Sequence, residues 1–405
     1  MSSSKNMSGA YKSRNGDGRR IGNDGMAVQK PYVDWSLIII IIYLLAFGLI
    51  ILYSASYYEA SMSKDDQAFY LKKQLMWDAI GVACMVGVSF FPYRFFKKTA
   101  LPLFLISLAM IPLCMAFPAT NGAHRWIYIG NYQVQPAEIV KITTILLMAS
   151  MICRIGTAVN DRKIALKVLA LPFIASVMLY TITNNLSSAI IVFLIAVGMF
   201  FVARPDYWRF ILLAVLLLVL IAAGVWLIMN NTSIHDKLSF RADRITTWLN
   251  PEKSSSSSGF QTLQALYAIG SGGWFGKGLG KSMQKLGYIP EVQNDMIFSI
   301  VCEELGICGA IAIILMFILL CWRLMYIADN AQDAFGSFIV TGVFCHISIQ
   351  VVLNIAVVTN TIPNTGVTLP FISYGGSSVI FTLAEIGIAL NVARRIIRTD
   401  RMQRR

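Results

Sequence analysis

Four carboxylates fall in one stretch of the chain, "YIPEVQNDMIFSIVCEELG" at 288–306, three of them at or inside an apolar run. Asp295 stands where a polar loop gives way to an apolar run, and Glu303 and Glu304 lie inside that run. A carboxylate at such a boundary can act as a general base on a polar substrate. It can also simply favour the positive end of the helix that follows. On a helix, Glu303 falls ~80° around from Asp295 and ~12 Å deeper, so it can line the same groove. Glu304 points ~100° away from Glu303 and cannot face the same way.

Just upstream runs "GSGGWFGKGLGKSMQK", 270–285. It looks like a nucleotide P-loop but has one residue too few between Gly276 and Gly280, so no nucleotide is expected. Glycines still let backbone N–H groups line a concave anion site. Lys277, Lys281 and Lys285 recur every four residues and would share one face of a helix. Either a pyrophosphate headgroup or the phosphates of surrounding lipids would suit that face. Glu138 and Lys141, three apart behind Pro136, would be helical neighbours, as a structural ion pair or a functional one. Glu385 lies midway along the last apolar run and requires a partner or a wet cavity. The histidines (124, 235, 346) are far apart and show no metal-ligand spacing, and all seven cysteines fall in apolar segments, so no disulfide framework is expected.

The elements that must hold these groups are membrane spans. The chain is 56% hydrophobic and only 14% charged, against roughly 25% charged in soluble domains. Ten apolar runs, near 35–55, 74–92, 99–116, 137–153, 167–183, 187–203, 208–229, 296–322, 335–358 and 374–393, predict an all-α polytopic membrane protein of about ten helices. An even count puts both termini on one side. Lys and Arg number 22 in the tails and loops of that side and 4 in the short opposite loops, which makes both termini cytoplasmic and the 230–295 loop large and extracellular. The +13 net charge then reflects topology and anionic lipid, and nothing implies nucleic acid. Residues 1–34 read as a disordered tail, 35–393 as the membrane domain and 394–405 as a basic tail. In the large loop, five serines at 254–258 form a linker. Phe260, Leu263, Leu266 and Tyr267 then follow at helical spacing, for a helix lying on the membrane face or packed on the protein.

Four ordered motifs resemble the SEDS family, represented by FtsW, RodA and SpoVE. They are "NGAHRWIYIGNYQVQPAEIVK" (121–141), "RADRITTWLNP" (241–251), the 270–306 stretch and "IPNTGVTLPFISYGGSS" (362–378). The details look more like FtsW and SpoVE than RodA. Two departures stand out. Gln293, Asn294 and Met296 replace the family's usual His-Thr before the aspartate and Phe after it, and "TNNLSSA" (183–189) replaces its Pro-Asp-Leu-Gly-Thr, removing an acid. The resemblance implies a peptidoglycan glycosyltransferase in the bacterial cytoplasmic membrane, polymerising lipid II on the outer face for division, elongation or sporulation. It implies Asp295 as the catalytic residue, and Arg125, Glu138, Lys141, Lys277, Lys281, Glu303 and Ser377 as substrate contacts. A divalent cation, Mg or Mn, is an expected helper. The expected partners are lipid II, a class B penicillin-binding transpeptidase and other division or elongation membrane proteins. A lipid II flippase and a non-catalytic scaffold for the transpeptidase are the alternatives.

Overall fold

The computed structural model describes residues 33–396, apart from 65, 120–121, 131, 157–158, 160, 205–207, 209–211, 213–238, 254–256, 287–288 and 290–291. Three helices open the bundle: α1 (Trp35–Ser63), α2 (Phe69–Phe90) and α3 (Phe96–Leu113). A short hairpin of β1 (Ile127–Ile129) and β2 (Tyr132–Val134) leads into α4 (Pro136–Ile155), α5 (Arg162–Thr181) and α6 (Leu186–Ala203). Two helices of the large loop follow, α7 (Ser239–Leu249) and α8 (Ser257–Ser271). The chain closes with α9 (Ile297–Asp329), α10 (Ala334–Val358) and α11 (Ser377–Ala393).

Nine of the ten expected runs coincide with helices, and the run near 208–229 lies almost wholly outside the described residues. Seven described helices are long and apolar enough to cross a membrane, and α11 is a shorter apolar helix. This is a multi-pass membrane protein. The helices are apolar all round because both surroundings are apolar: α1 buries Leu37, Ile41 and Leu44 while exposing Ile39, Ile42 and Ile50. The central element is α4, which contacts α3, α6 and α10. Around it α11 lies along α2, α5 along α6, and α9 against α1 and α10. At one end of the bundle Asp34 caps α1 through Leu37 N (3.1 Å) and pairs with Arg323 of α9 (2.8 Å). Asp333 likewise caps α10 through Gly336 N (2.8 Å) and takes the Tyr93 hydroxyl (2.9 Å) and Arg94 Nε (3.0 Å).

Two features depart from the all-α expectation. The first is the hairpin, with Ile127 opposite Val134 and Ile129 opposite Tyr132. Between the strands the sequence reads Gly130-Asn131, a two-residue hairpin signal set between aromatic and β-branched residues. The second is a break in α9 at Gly306, where φ is +68°. Ile307 N and Cys308 N bond Gly273 O (2.9 Å) and Trp274 O (3.1 Å) instead of the preceding helical turn. The carbonyls thus released, Glu303 O and Glu304 O, accept Lys277 N and Gly278 N, both at 2.9 Å. Helix and loop therefore exchange one set of backbone bonds. The close approach needs glycine on both strands: a Cβ at Gly306 would stand 2.4 Å from Gly276 N, and one at Gly276 would stand 2.2 Å from Glu304 O.

Helix α8 confirms the expected helical spacing and buries the face opposite the expected stripe. Thr262, Ala265 and Ala268 are buried and α8 packs on α9, while Phe260 and Tyr267 point outward.

Candidate active site

Asp295 ends the loop two residues before α9, and Met296, not Asp295, occupies the N-cap position. Its carboxylate instead lines a cavity of about 220 Å³. Segments distant in sequence meet there: Arg125 ahead of the hairpin, 184–187 at the start of α6, Arg244, Thr247 and Trp248 of α7, Gln261 and Thr262 of α8, and 364–366 ahead of α11. Asp295 Oδ2 lies against Gly366, 3.8 Å from where a Cβ would sit.

Backbone carbonyls hold the cavity's cations in place. Arg125 donates to Asn184 O (2.8 Å) and Thr183 O (3.3 Å), and Arg244 donates to Asn364 O (3.4 Å). Trp248 Nε1 donates to Asn360 O (2.9 Å), and Asn360 Nδ2 returns a bond to Trp248 O (3.2 Å), docking α7 on the turn after α10. Burial pushes the Arg125 guanidinium below the usual arginine range, and the positive Arg244 adds to that effect. Burial lowers Arg244 too, with the negative Asp295 acting in the opposite direction. Two partly desolvated guanidiniums against one carboxylate leave a net positive cavity, which favours an anionic ligand.

Beneath the cavity, two amides one helical turn apart on α10 fasten its walls. Asn354 Nδ2 donates to Asp295 O (2.8 Å) and to Val367 O (2.7 Å). Gln350 Nε2 donates to Thr368 O (3.0 Å), and its Oε1 takes Lys141 Nζ (3.5 Å). Lys141 in turn pairs with Glu138 at 2.8 Å, both buried. One chain of contacts thus runs from α4 through α10 to the backbone on both sides of the cavity.

Of the residues expected at the site, Asp295 and Arg125 line the cavity. Glu138, Lys141, Lys277, Lys281, Glu303 and Ser377 do not. Glu138 and Lys141 form the structural pair below it. The common lysine face is absent because 272–286 folds as glycine turns, not as a helix. Lys277 pairs with Glu303 (2.7 Å) and Lys285 with Glu304 (2.8 Å), while Lys281 is exposed. Both acids have no exposed side-chain surface and also gather Ser282, Met283 N (3.1 Å) and Ser54 Oγ (2.6 Å). Ser377 is buried in the first turn of α11. Glu385 meets its required partner in His346, whose Nδ1 lies 2.7 Å away.

Sequence reasoning missed Arg244 and Asn354. The first sat inside the quoted 241–251 motif. The second had a readable signal: Gln350 and Asn354 are two amides at i, i+4 within a spanning run, where polar groups need partners.

The cell cycle protein family model for FtsW, RodA and SpoVE matches residues 34–397. The chain belongs to the FtsW/RodA/SpoVE family. It is 38% identical to the stage V sporulation protein E of Bacillus subtilis, over 91% of this chain and 99% of that protein. It is 35% identical to a probable peptidoglycan glycosyltransferase FtsW of Trichlorobacter lovleyi, over 90% and 95%. Among solved structures, it superposes with a TM-score of 0.73 and 25% identity on a chain of a peptidoglycan synthase complex that coordinates polymerization and crosslinking, covering 90% of this chain and 99% of that one. For the Thermus thermophilus rod shape-determining protein RodA the TM-score is 0.62, at 25% identity and 90% and 97% coverage. The span matched to the FtsW/RodA/SpoVE family includes every segment that lines the cavity.

Proposed function

We propose that this protein is a peptidoglycan glycosyltransferase that polymerises lipid II at the outer face of the bacterial cytoplasmic membrane. The carrying observation is the Asp295 carboxylate in a cavity with two half-buried guanidiniums, Arg125 and Arg244. The substrate chemistry matches that set. Asp295 accepts the proton of the acceptor sugar's 4-hydroxyl as its oxygen attacks the anomeric carbon of the growing chain. A new C–O bond forms there as the bond to the polyprenyl pyrophosphate breaks. Arg125 and Arg244 stabilise the charge that collects on the departing pyrophosphate. The leaving group is already activated, so one carboxylate suffices. Lys277, with Glu303 as its partner, serves the loop instead.

A divalent cation has a poor fit to the protein's own donors. The cavity offers one carboxylate beside two guanidiniums, and among the described residues no three His, Cys, Asp or Glu gather as a metal site. Mg or Mn would therefore arrive as a companion of the pyrophosphate and not as a resident ion.

The outward orientation rests on the charge bias of the loops and places the cavity on the side of the long loop. Likeness to a chain of a complex that couples polymerization to crosslinking supports a class B penicillin-binding transpeptidase as partner.

The test is polymerisation of purified lipid II by purified protein, alone and with the transpeptidase. Asp295→Asn keeps the size of the side chain, and a general base contributes ~10²–10⁴-fold in rate. Glycan synthesis should fall by that factor while lipid II still binds. A folded Asp295→Asn protein that polymerises at the parent rate would sink the catalytic assignment and return the scaffold. Lipid II translocation into the opposite leaflet of proteoliposomes without polymerisation would return the flippase.

A further inference from the structure

Residues 272–286 belong by sequence to an aqueous loop, yet most of their backbone N–H groups are bonded within the protein. Backbone in hydrocarbon has to find its partners within the protein, whereas a solvated loop can leave them to water. Of the fifteen N–H groups in 272–286, ten have protein acceptors. Those of 277 and 278 use carbonyls freed by the break at Gly306, and those of 282, 283 and 284 use the carboxylates of Glu303 and Glu304. The charges are paired inward, Lys277 with Glu303 and Lys285 with Glu304. The apolar side chains turn outward: Trp274 is 69% exposed, Phe275 84%, Leu279 55% and Met283 56%.

Depth agrees with bonding. At the far end of the bundle the Asp34–Arg323 pair ties α1 to α9, and exposed Trp35 and Trp322 mark an interfacial aromatic belt. From Trp322 back to Gly306 is 16 residues, ~24 Å along a helix, within a hydrocarbon core ~30 Å thick. Helix tilt only shortens that projection. Gly306 packs directly on the backbone of Trp274 and Gly276. One turn below, α9 exposes Ile307 and Ile311, so the loop's apolar surface continues a lipid-facing one.

We propose that residues 272–286 are immersed in the bilayer at the end that carries the Asp295 cavity. Trp274, Phe275, Leu279 and Met283 face acyl chains, and exposed Lys281 reaches lipid phosphates. The immersed loop, clamped to Glu303 and Glu304, fixes the height of the first turns of α9, and with them Asp295, above the lipid. This inference stands on depth and hydrogen bonding and needs no step of the reaction.

The test uses the full-length protein in proteoliposomes of phosphatidylglycerol and phosphatidylethanolamine. Nitroxide labels are placed at Phe275→Cys and Leu279→Cys in a background without native cysteines, with Ile311→Cys as the lipid control and Gln67→Cys as the aqueous one. Molecular oxygen should relax both loop labels more than a water-soluble nickel chelate does, as at Ile311. Relaxation dominated by nickel, as at Gln67, overturns the proposal and leaves the patch to a protein partner. Should the cysteine-free protein not fold, brominated lipids test the native chain: Trp274→Phe should remove part of the quenchable tryptophan emission. An unchanged quenchable fraction overturns the proposal equally.

Discussion

Asn354 is the residue whose loss should best separate positioning from folding. It lies fully buried on α10 and donates to two backbone carbonyls, Asp295 O at 2.8 Å and Val367 O at 2.7 Å. Asn354→Leu keeps the approximate volume and removes both donors. Each carbonyl left buried without a partner costs ~1–3 kcal/mol, so the pair costs ~2–6 kcal/mol if the walls stay in place. The walls can avoid part of that cost by moving apart, and Asp295 moves with one of them. A displacement of ~1 Å at a reacting group costs ~10²-fold in rate. The expectation is a lowered unfolding midpoint in detergent together with a large fall in kcat for lipid II polymerisation, with KM less affected. Asn354→Asp has the same shape, and its buried carboxyl when protonated donates one bond of the two, so it should fall between the parent and Asn354→Leu. An Asn354→Leu protein with parental kcat and an unmoved midpoint would refute the clamp.

Three other outcomes follow from the same contacts. Lys285→Met leaves Glu304 buried without its cation and should cost ~3–5 kcal/mol in thermal unfolding. Adding Glu304→Gln to that variant should recover much of the loss, and equal damage from single and double variants would exclude the ion pair as the cause. Arg244→Gln should weaken lipid II binding, measured directly with Asp295→Asn protein to prevent turnover, whereas unchanged affinity would remove Arg244 from the pyrophosphate site. Treatment with EDTA should leave the unfolding midpoint of the purified protein where it was, and a shift restored by Mg or Mn would reveal a resident ion.

Much of this molecule is written locally. Runs of apolar residues dictate spanning helices because only a helix satisfies its own backbone in hydrocarbon. Loop charge predicts which side faces the cytoplasm. The quoted motifs contain Asp295, Arg125 and Arg244, three of the groups that line the cavity. The hairpin too had its signal, in Gly130-Asn131.

What stayed hidden depends on which groups meet across the bundle. Spacing placed Lys277, Lys281 and Lys285 on one helical face, but positive φ at Gly273, Gly276, Gly278 and Gly280 turns the chain into a loop and removes that face. Lys277 and Lys285 become inward partners of Glu303 and Glu304, and Lys281 stays exposed, because a buried carboxylate without a cation is costly and the nearest cations lie in that loop. Asp295 reads from sequence as a base, with a helix cap as the alternative. Its sequence neighbours cannot decide between them, because Arg125 and Arg244, the residues that give its carboxylate a positive cavity, lie 170 and 51 positions away and arrive only through packing. Sequence determined that a carboxylate would stand at the mouth of a membrane helix. Tertiary structure decided what faces it, since electrostatic environment is set by distance in space and not along the chain.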